Sequence, residues 1–187
     1  MKKSWIVIIV IVVLLFMSGN FFISRFNKMR VMETEVKNSW AEVDNQLTRR
    51  YELIPNLVET VKGYAKFEKE VLTEVTEMRS RVGSAQTIPD KMNSNNQLSS
   101  ALGRLMVVVE KYPELKANQN FMALQDELAG TENRLSVARK RYNDTVTSFN
   151  QYLVVFPNNI LANFYNIKAA ELFKAPEAAA TAPKVTF

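Results

Sequence analysis

Residues 49–70 read RRYELIPNLVETVKGYAKFEKE. Helix formers dominate, and an apolar side chain returns every three or four positions, the period of one helix face. Pro55 stands in the middle, where a proline removes a backbone donor and costs about 3 kcal/mol. Followed outward, the stripe runs from Val36 through Trp40, Val43, Leu47, Tyr51, Ile54, Val58, Val61 and Ala65 to Leu72, Val75, Met78 and Val82. It predicts one helix over 31–83, stopped by Gly83 and about 80 Å long at about 1.5 Å per residue. The Tyr51 carbonyl would lose its donor to Pro55, and the helix would bend there.

Downstream, residues 84–96 (SAQTIPDKMNSNN) read as a polar linker. A second helix is predicted over 97–111, with Leu98, Leu102, Leu105 and Val109 on its face and Pro113 ending it. A third spans 119–155, from Phe121 through Leu128, Leu135 and Tyr142 to Phe149 and Leu153, and Pro157 closes it. Asn158 or Asn159 can cap a short fourth helix ending at Phe164, with Tyr165–Phe173 as a capping strap. Residues 175–187 (APEAAATAPKVTF) form a tail too poor in large apolar groups to fold. No strand-period pattern competes after residue 31.

Upstream, residues 5–23 (WIVIIVIVVLLFMSGNFFI) carry no charge, close to the ~20 apolar residues a membrane-spanning helix needs. Trp5 at one edge and Phe21 and Phe22 at the other suit the interface, and Arg25, Lys28 and Arg30 follow. No small-x-small cleavage site follows the apolar run, so it reads as an uncleaved anchor. The expected layout is a tail at 1–4, a transmembrane helix at 5–24, a bundle at 31–174 and the tail at 175–187. The fold class is all-α: an N-terminal transmembrane helix followed by an elongated antiparallel bundle of about four helices. Three basic residues after the span against two before it lean toward a cytoplasmic bundle.

The 187 residues include no cysteine and no histidine. Disulfides, thiolate and imidazole metal sites, and serine–histidine or cysteine–histidine catalysis are thereby excluded. The net charge of +5 is a border effect. Five basic residues precede residue 31, where no acid occurs, and those remaining match the 19 acidic residues one for one. A basic face for nucleic acid is therefore not expected. A cofactor is not expected either.

Several charges fall on the apolar stripes. Arg50 lies between Leu47 and Ile54, Glu68 between Ala65 and Leu72, Glu132 between Leu128 and Leu135, and Arg139 between Leu135 and Tyr142. Buried charges must pair, so these four are candidates for interhelical ion pairs that fix register. A carboxylate metal site is the lesser reading, since bundle di-iron sites use a histidine this chain lacks. Asn38, Asn45, Asn56, Asn133, Asn143 and Asn150 recur near helix faces and are read as interhelical hydrogen-bonding groups.

The chain resembles the LemA family of bacterial membrane proteins. The matching text is NSWAEVDNQLTRRYELIPNLVETVKGYAKFEKEVL (38–72), EKYPELKANQNFMALQDELAGTENRLSVARKRYNDTVTSFN (110–150) and FP (156–157). R-x-x-L-I-P-N-L-V paired with Y-P-x-L-K-A-N is its most specific element. The resemblance implies a membrane-anchored helical bundle with a very short outer N-terminus and a cytoplasmic domain. It also implies an association with membrane protein quality-control components such as zinc metalloproteases. Phe67 departs from a histidine common in the family, and Asn166 stands where a glycine is expected.

Function follows from a length mismatch. The predicted second and third helices, about 22 and 55 Å, cannot cover an 80 Å first helix. Val36, Trp40, Val43 and Leu47 are then the candidates for an unpartnered, self-associating stripe. The leading expectation is a non-enzymatic scaffold or adaptor in the cell (inner) membrane, homo-oligomeric, touching lipid and other membrane proteins. The alternative is a sensory relay that uses the Pro55 bend.

Overall fold

The computed structural model describes residues 3–64 and 69–173. Glu68, Phe67 and the 175–187 tail lie outside the described residues. Every regular element among those described is helical: α1 (Lys3–Lys62), α2 (Lys69–Ser84), α3 (Ile88–Val109), α4 (Pro113–Lys116), α5 (Gln119–Val154) and α6 (Asn158–Phe164). The chain divides into two compact units. One takes in the described residues up to Trp40 with Tyr142–Leu172, the other Ala41–Arg141 with Phe173.

The expected 31–83 helix is two helices. α1 ends at Lys62, where Gly63 and Tyr64 donate to the carbonyls of Glu59 and Val61, and α2 begins at Lys69. The stripe misled because its phase carries across the break: Val61 on α1 and Leu72 and Val75 on α2 enter one core. α1 remains helical through Pro55.

The 84–96 linker is also corrected, since most of it is the first turns of α3. Thr87 is the N-cap and its hydroxyl oxygen accepts from the Asp90 amide at 3.2 Å. Pro89 sits in the first turn, where a proline loses no helical bond. Met92 and Asn95, read as linker, are buried. Pro113 likewise opens α4 instead of merely ending the helix before it. α5 ends at Val154, within a residue of expectation. Pro157, joined to Phe156 by a cis peptide, holds the N-cap position of α6 in place of Asn158 or Asn159.

The larger unit packs four helices and the α4 turn. Ile54, Leu57 and Val61 from α1 meet Leu72 and Val75 from α2, Leu98 and Leu105 from α3, Leu115 from α4 and Phe121 from α5. Each fully buried side chain of this size contributes about 1.5–3 kcal/mol. The smaller unit buries Met29 of α1 with Tyr142, Val146, Phe149 and Leu153 of α5 and Ala162 of α6.

α6 closes with a left-handed residue. Asn166 has φ 52°, and the Asn166 and Ile167 amides donate to the Asn163 and Ala162 carbonyls at 3.2 and 2.8 Å. These are the paired bonds of a Schellman cap, a position that favours glycine and next asparagine. The glycine expected there by resemblance is thus explained by backbone conformation.

Candidate functional site

Three features carry the chain's distinctive chemistry: an apolar segment with its basic border, a buried charge network, and the corner where the two motifs meet. From Trp5 to Ile23 every large apolar side chain is exposed, from 43% at Phe21 to 71% at Phe16. None of this stretch is covered by the rest of the chain, and it is long and apolar enough to cross a membrane. The core helix of a soluble protein would have been covered.

The border residues each engage an aromatic ring. Phe21 and Phe22 meet edge to face at 5.6 Å, and the Arg25 guanidinium lies 4.9 Å from the Phe21 centroid. Lys28 lies 5.1 Å from Tyr152, and Arg30 5.2 Å from Phe26 while pairing with Glu33 at 2.7 Å. Hydrogen bonds from Arg30 and then Lys37 hold the Glu33 carboxyl below its usual range.

The self-association stripe is corrected. Val36, Val43 and Leu47 are 8%, 0% and 4% exposed within the single chain, and Trp40 packs edge-on against Tyr142 at 5.5 Å. The premise of an overlong helix fails because α1 stops at Lys62. Its length past residue 31 is about 48 Å, and α5 is about 54 Å. No unpartnered stripe is left at these four residues.

The charge network sits where α1, α3 and α5 approach. Arg50 is 5% exposed, and its Nη1 donates to Glu132 Oε2 at 2.5 Å and to Ser99 Oγ at 2.9 Å. Arg139, about two turns further along the same face of α5, reaches Glu132 Oε1 at 3.7 Å and lies 4.3 Å over the Phe173 ring. One carboxylate thus serves two buried guanidinium groups. Burial pulls both arginines below their ordinary basicity, and Glu132 opposes that pull. Glu68, the fourth candidate, lies outside the described residues.

The two motifs converge on one corner. Ile54, Leu57 and Val58 of L-I-P-N-L-V share a core with Leu115 of Y-P-E-L-K-A-N. Asn118 caps α5 by accepting from the Phe121 amide at 3.1 Å, and its Nδ2 donates to the Tyr64 hydroxyl at 2.9 Å. The most specific sequence text therefore builds a helix junction. At Pro55, the missing donor is replaced: Arg79 Nε of α2 donates to the Tyr51 carbonyl at 3.2 Å.

Asn150 takes a role different from the helix-to-helix bond expected of it. Its amide group both donates to and accepts from the Ala170 backbone, at 2.8 and 2.9 Å. Tyr142 donates to the Glu171 carbonyl at 2.8 Å, so α5 pins the strap after α6 from two points. Burial raises the Tyr142 hydroxyl above the ordinary phenol range, helped by the Glu171 charge.

Residues missed in the sequence include Arg79, Ser99 and Asn118. Only Asn118 had a readable signal, an asparagine three residues before Phe121 at a helix start. An open cleft of about 410 Å³ is lined by Lys62, Tyr64, Lys69, Leu72 and Glu77, with a single carboxylate among them. Among the described residues no three histidine, cysteine, aspartate or glutamate side chains could hold a metal ion together.

The chain belongs to the LemA family, whose family model matches residues 39–187. It is 26% identical over 159 residues to Protein LemA of Metamycoplasma hominis, an alignment covering 83% of this chain and 72% of that relative. It is 25% identical over 183 residues to Magnetosome protein MamQ 2 of Paramagnetospirillum magneticum, covering 84% and 67%. Magnetosome protein MamQ of Magnetospirillum gryphiswaldense is 22% identical over 175 residues, covering 80% and 64%.

Proposed function

We propose that this LemA-family chain is a single-pass membrane protein whose helical domain acts as a non-enzymatic scaffold or adaptor. The observation that carries the reading is the exposure of the whole 5–23 segment beside a basic, aromatic border. An apolar surface of that size is unfavourable in water and stable in hydrocarbon. The rest of the chemistry supports a structural task. The motif residues make caps and core, and Arg50 and Glu132 are spent on an ion pair between helices instead of facing a cleft.

In this reading the bundle lies in the cytoplasm, at the inner face of the cell membrane, with other membrane proteins as its partners; the basic residues Arg25, Lys28 and Arg30 after the span favour that side. Relatives named as magnetosome proteins support the membrane-associated part of this reading. A relay through Pro55 is the weaker reading, because Arg79 satisfies the carbonyl that a flexible point would leave open.

Membrane fractionation tests the anchor. The full chain is expected to stay in the pellet through an alkaline carbonate wash, and a chain lacking 5–23 to be released. Release of both forms would overturn the anchor. Photo-crosslinking in intact membranes tests the adaptor: adducts to defined membrane proteins are expected with the full chain and lost without 5–23.

A further inference from the structure

We propose that the corner between α5 and α6 is a second membrane contact, with Val154, Val155, Phe156, Ile160 and Phe164 entering the headgroup layer beside α1. This rests on the reading of 5–23 as a membrane span.

All five side chains are 57–79% exposed, an unusual cluster for the end of a folded unit. Their depth follows from contacts inside the smaller unit. Trp40 of α1 meets Tyr142 of α5, and Lys28 meets Tyr152, so the two helices run antiparallel. Continued past Tyr152, α5 ends at Val154 level with α1 residues just before Lys28. The return is fixed too: Tyr165, at the end of α6, stacks on Phe26 at 4.4 Å. Phe26 is about 4.5 Å of helix rise beyond Ile23, the last residue of the apolar run. The exposed corner therefore sits at the level where the span leaves hydrocarbon.

Charge favours lipid over a protein partner. No acidic residue occurs from 145 to 170 or before Glu33, while Arg25, Lys28, Arg30 and Lys168 supply cations. A carboxylate-free apolar tip with basic and aromatic neighbours suits an anionic headgroup layer.

The test uses the full chain in vesicles of phosphatidylethanolamine and phosphatidylglycerol. Lipids brominated either near the carbonyl or near the chain end act as quenchers. Phe156→Cys, Phe164→Cys, Val10→Cys and Val107→Cys each place an environment-sensitive fluorophore at an exposed site, so the core is left intact. Deep bromines should quench the Val10 probe. The Phe156 and Phe164 probes should be blue-shifted in vesicles and quenched by the shallow bromines, while the Val107 probe stays unquenched. If the Val10 probe is quenched but those at Phe156 and Phe164 match Val107, the corner contact is wrong and the span stands. If the Val10 probe is unquenched, the span fails and the corner contact with it.

Discussion

Arg79 completes a hydrogen bond that Pro55 breaks. Its Nε donates at 3.2 Å to the carbonyl of Tyr51, the group a residue-55 amide would otherwise serve, and its guanidinium lies 3.9 Å from the centre of the Tyr51 ring. Gly83 lets that ring come close, since a Cβ there would stand 3.1 Å from the Tyr51 hydroxyl. α2 is thereby fastened to α1 at the interior carbonyl that Pro55 leaves without a backbone amide.

Replacing Arg79 with alanine is expected to destabilise the domain by about 1–3 kcal/mol through the stranded carbonyl and the lost ring contact. With Pro55→Ala in place, the amide returns and the same Arg79→Ala change should cost less. Denaturant melts of the four proteins in this cycle give the coupling, and additive effects would show that the two residues are independent.

Glu132 is the more sensitive member of the charge network. Glu132→Ala leaves Arg50 and Arg139 without their shared carboxylate and is expected to cost about 2 kcal/mol or more. Arg50→Met fills the same space with an apolar chain and leaves the Arg139–Glu132 pair, so its cost should be smaller. Thermal denaturation of both variants checks the order.

Asn166 tolerates its left-handed backbone at a cost glycine would not bear. Asn166→Gly is expected to be neutral or slightly stabilising, and Asn166→Val to lose about 1–2 kcal/mol. Urea midpoints distinguish the two.

Tyr142 ties stability to alkaline pH. Its hydroxyl is buried and donating, so the folded state holds the proton more tightly than the unfolded state. That contribution is complete below the unfolded phenol pKa of about 10 and is lost as pH rises through the higher folded value. Tyr142→Phe should lower stability near neutrality and show a shallower decline above pH ~10 than the parent chain. Paired melts across that range measure the difference.

The sequence exposed some of this fold and hid the rest for identifiable reasons. α5 was legible because its period runs unbroken from Phe121 to Leu153 and a proline follows. The break after Lys62 was not, since Val61 and Leu72 keep phase while facing one core from different helices. Polar Ser94, Asn95 and Asn96 disguised α3, although Thr87, Pro89 and Asp90 spelled its start. Arg50, Glu132 and Arg139 stood out as charges on apolar stripes. Arg79 did not, because its partner is a backbone carbonyl that no side-chain pattern marks. The stripe at Val36–Leu47 was misread for want of the true helix lengths.

Topology labelling tests the anchored bundle most directly. The chain has no cysteine, so Lys2→Cys and Ser148→Cys each create a single thiol, the latter at an exposed site on α5. A membrane-impermeant maleimide applied to intact spheroplasts should label Lys2→Cys and spare Ser148→Cys until the membrane is opened. Equal labelling of both before opening would mean that residues 5–23 do not cross the bilayer.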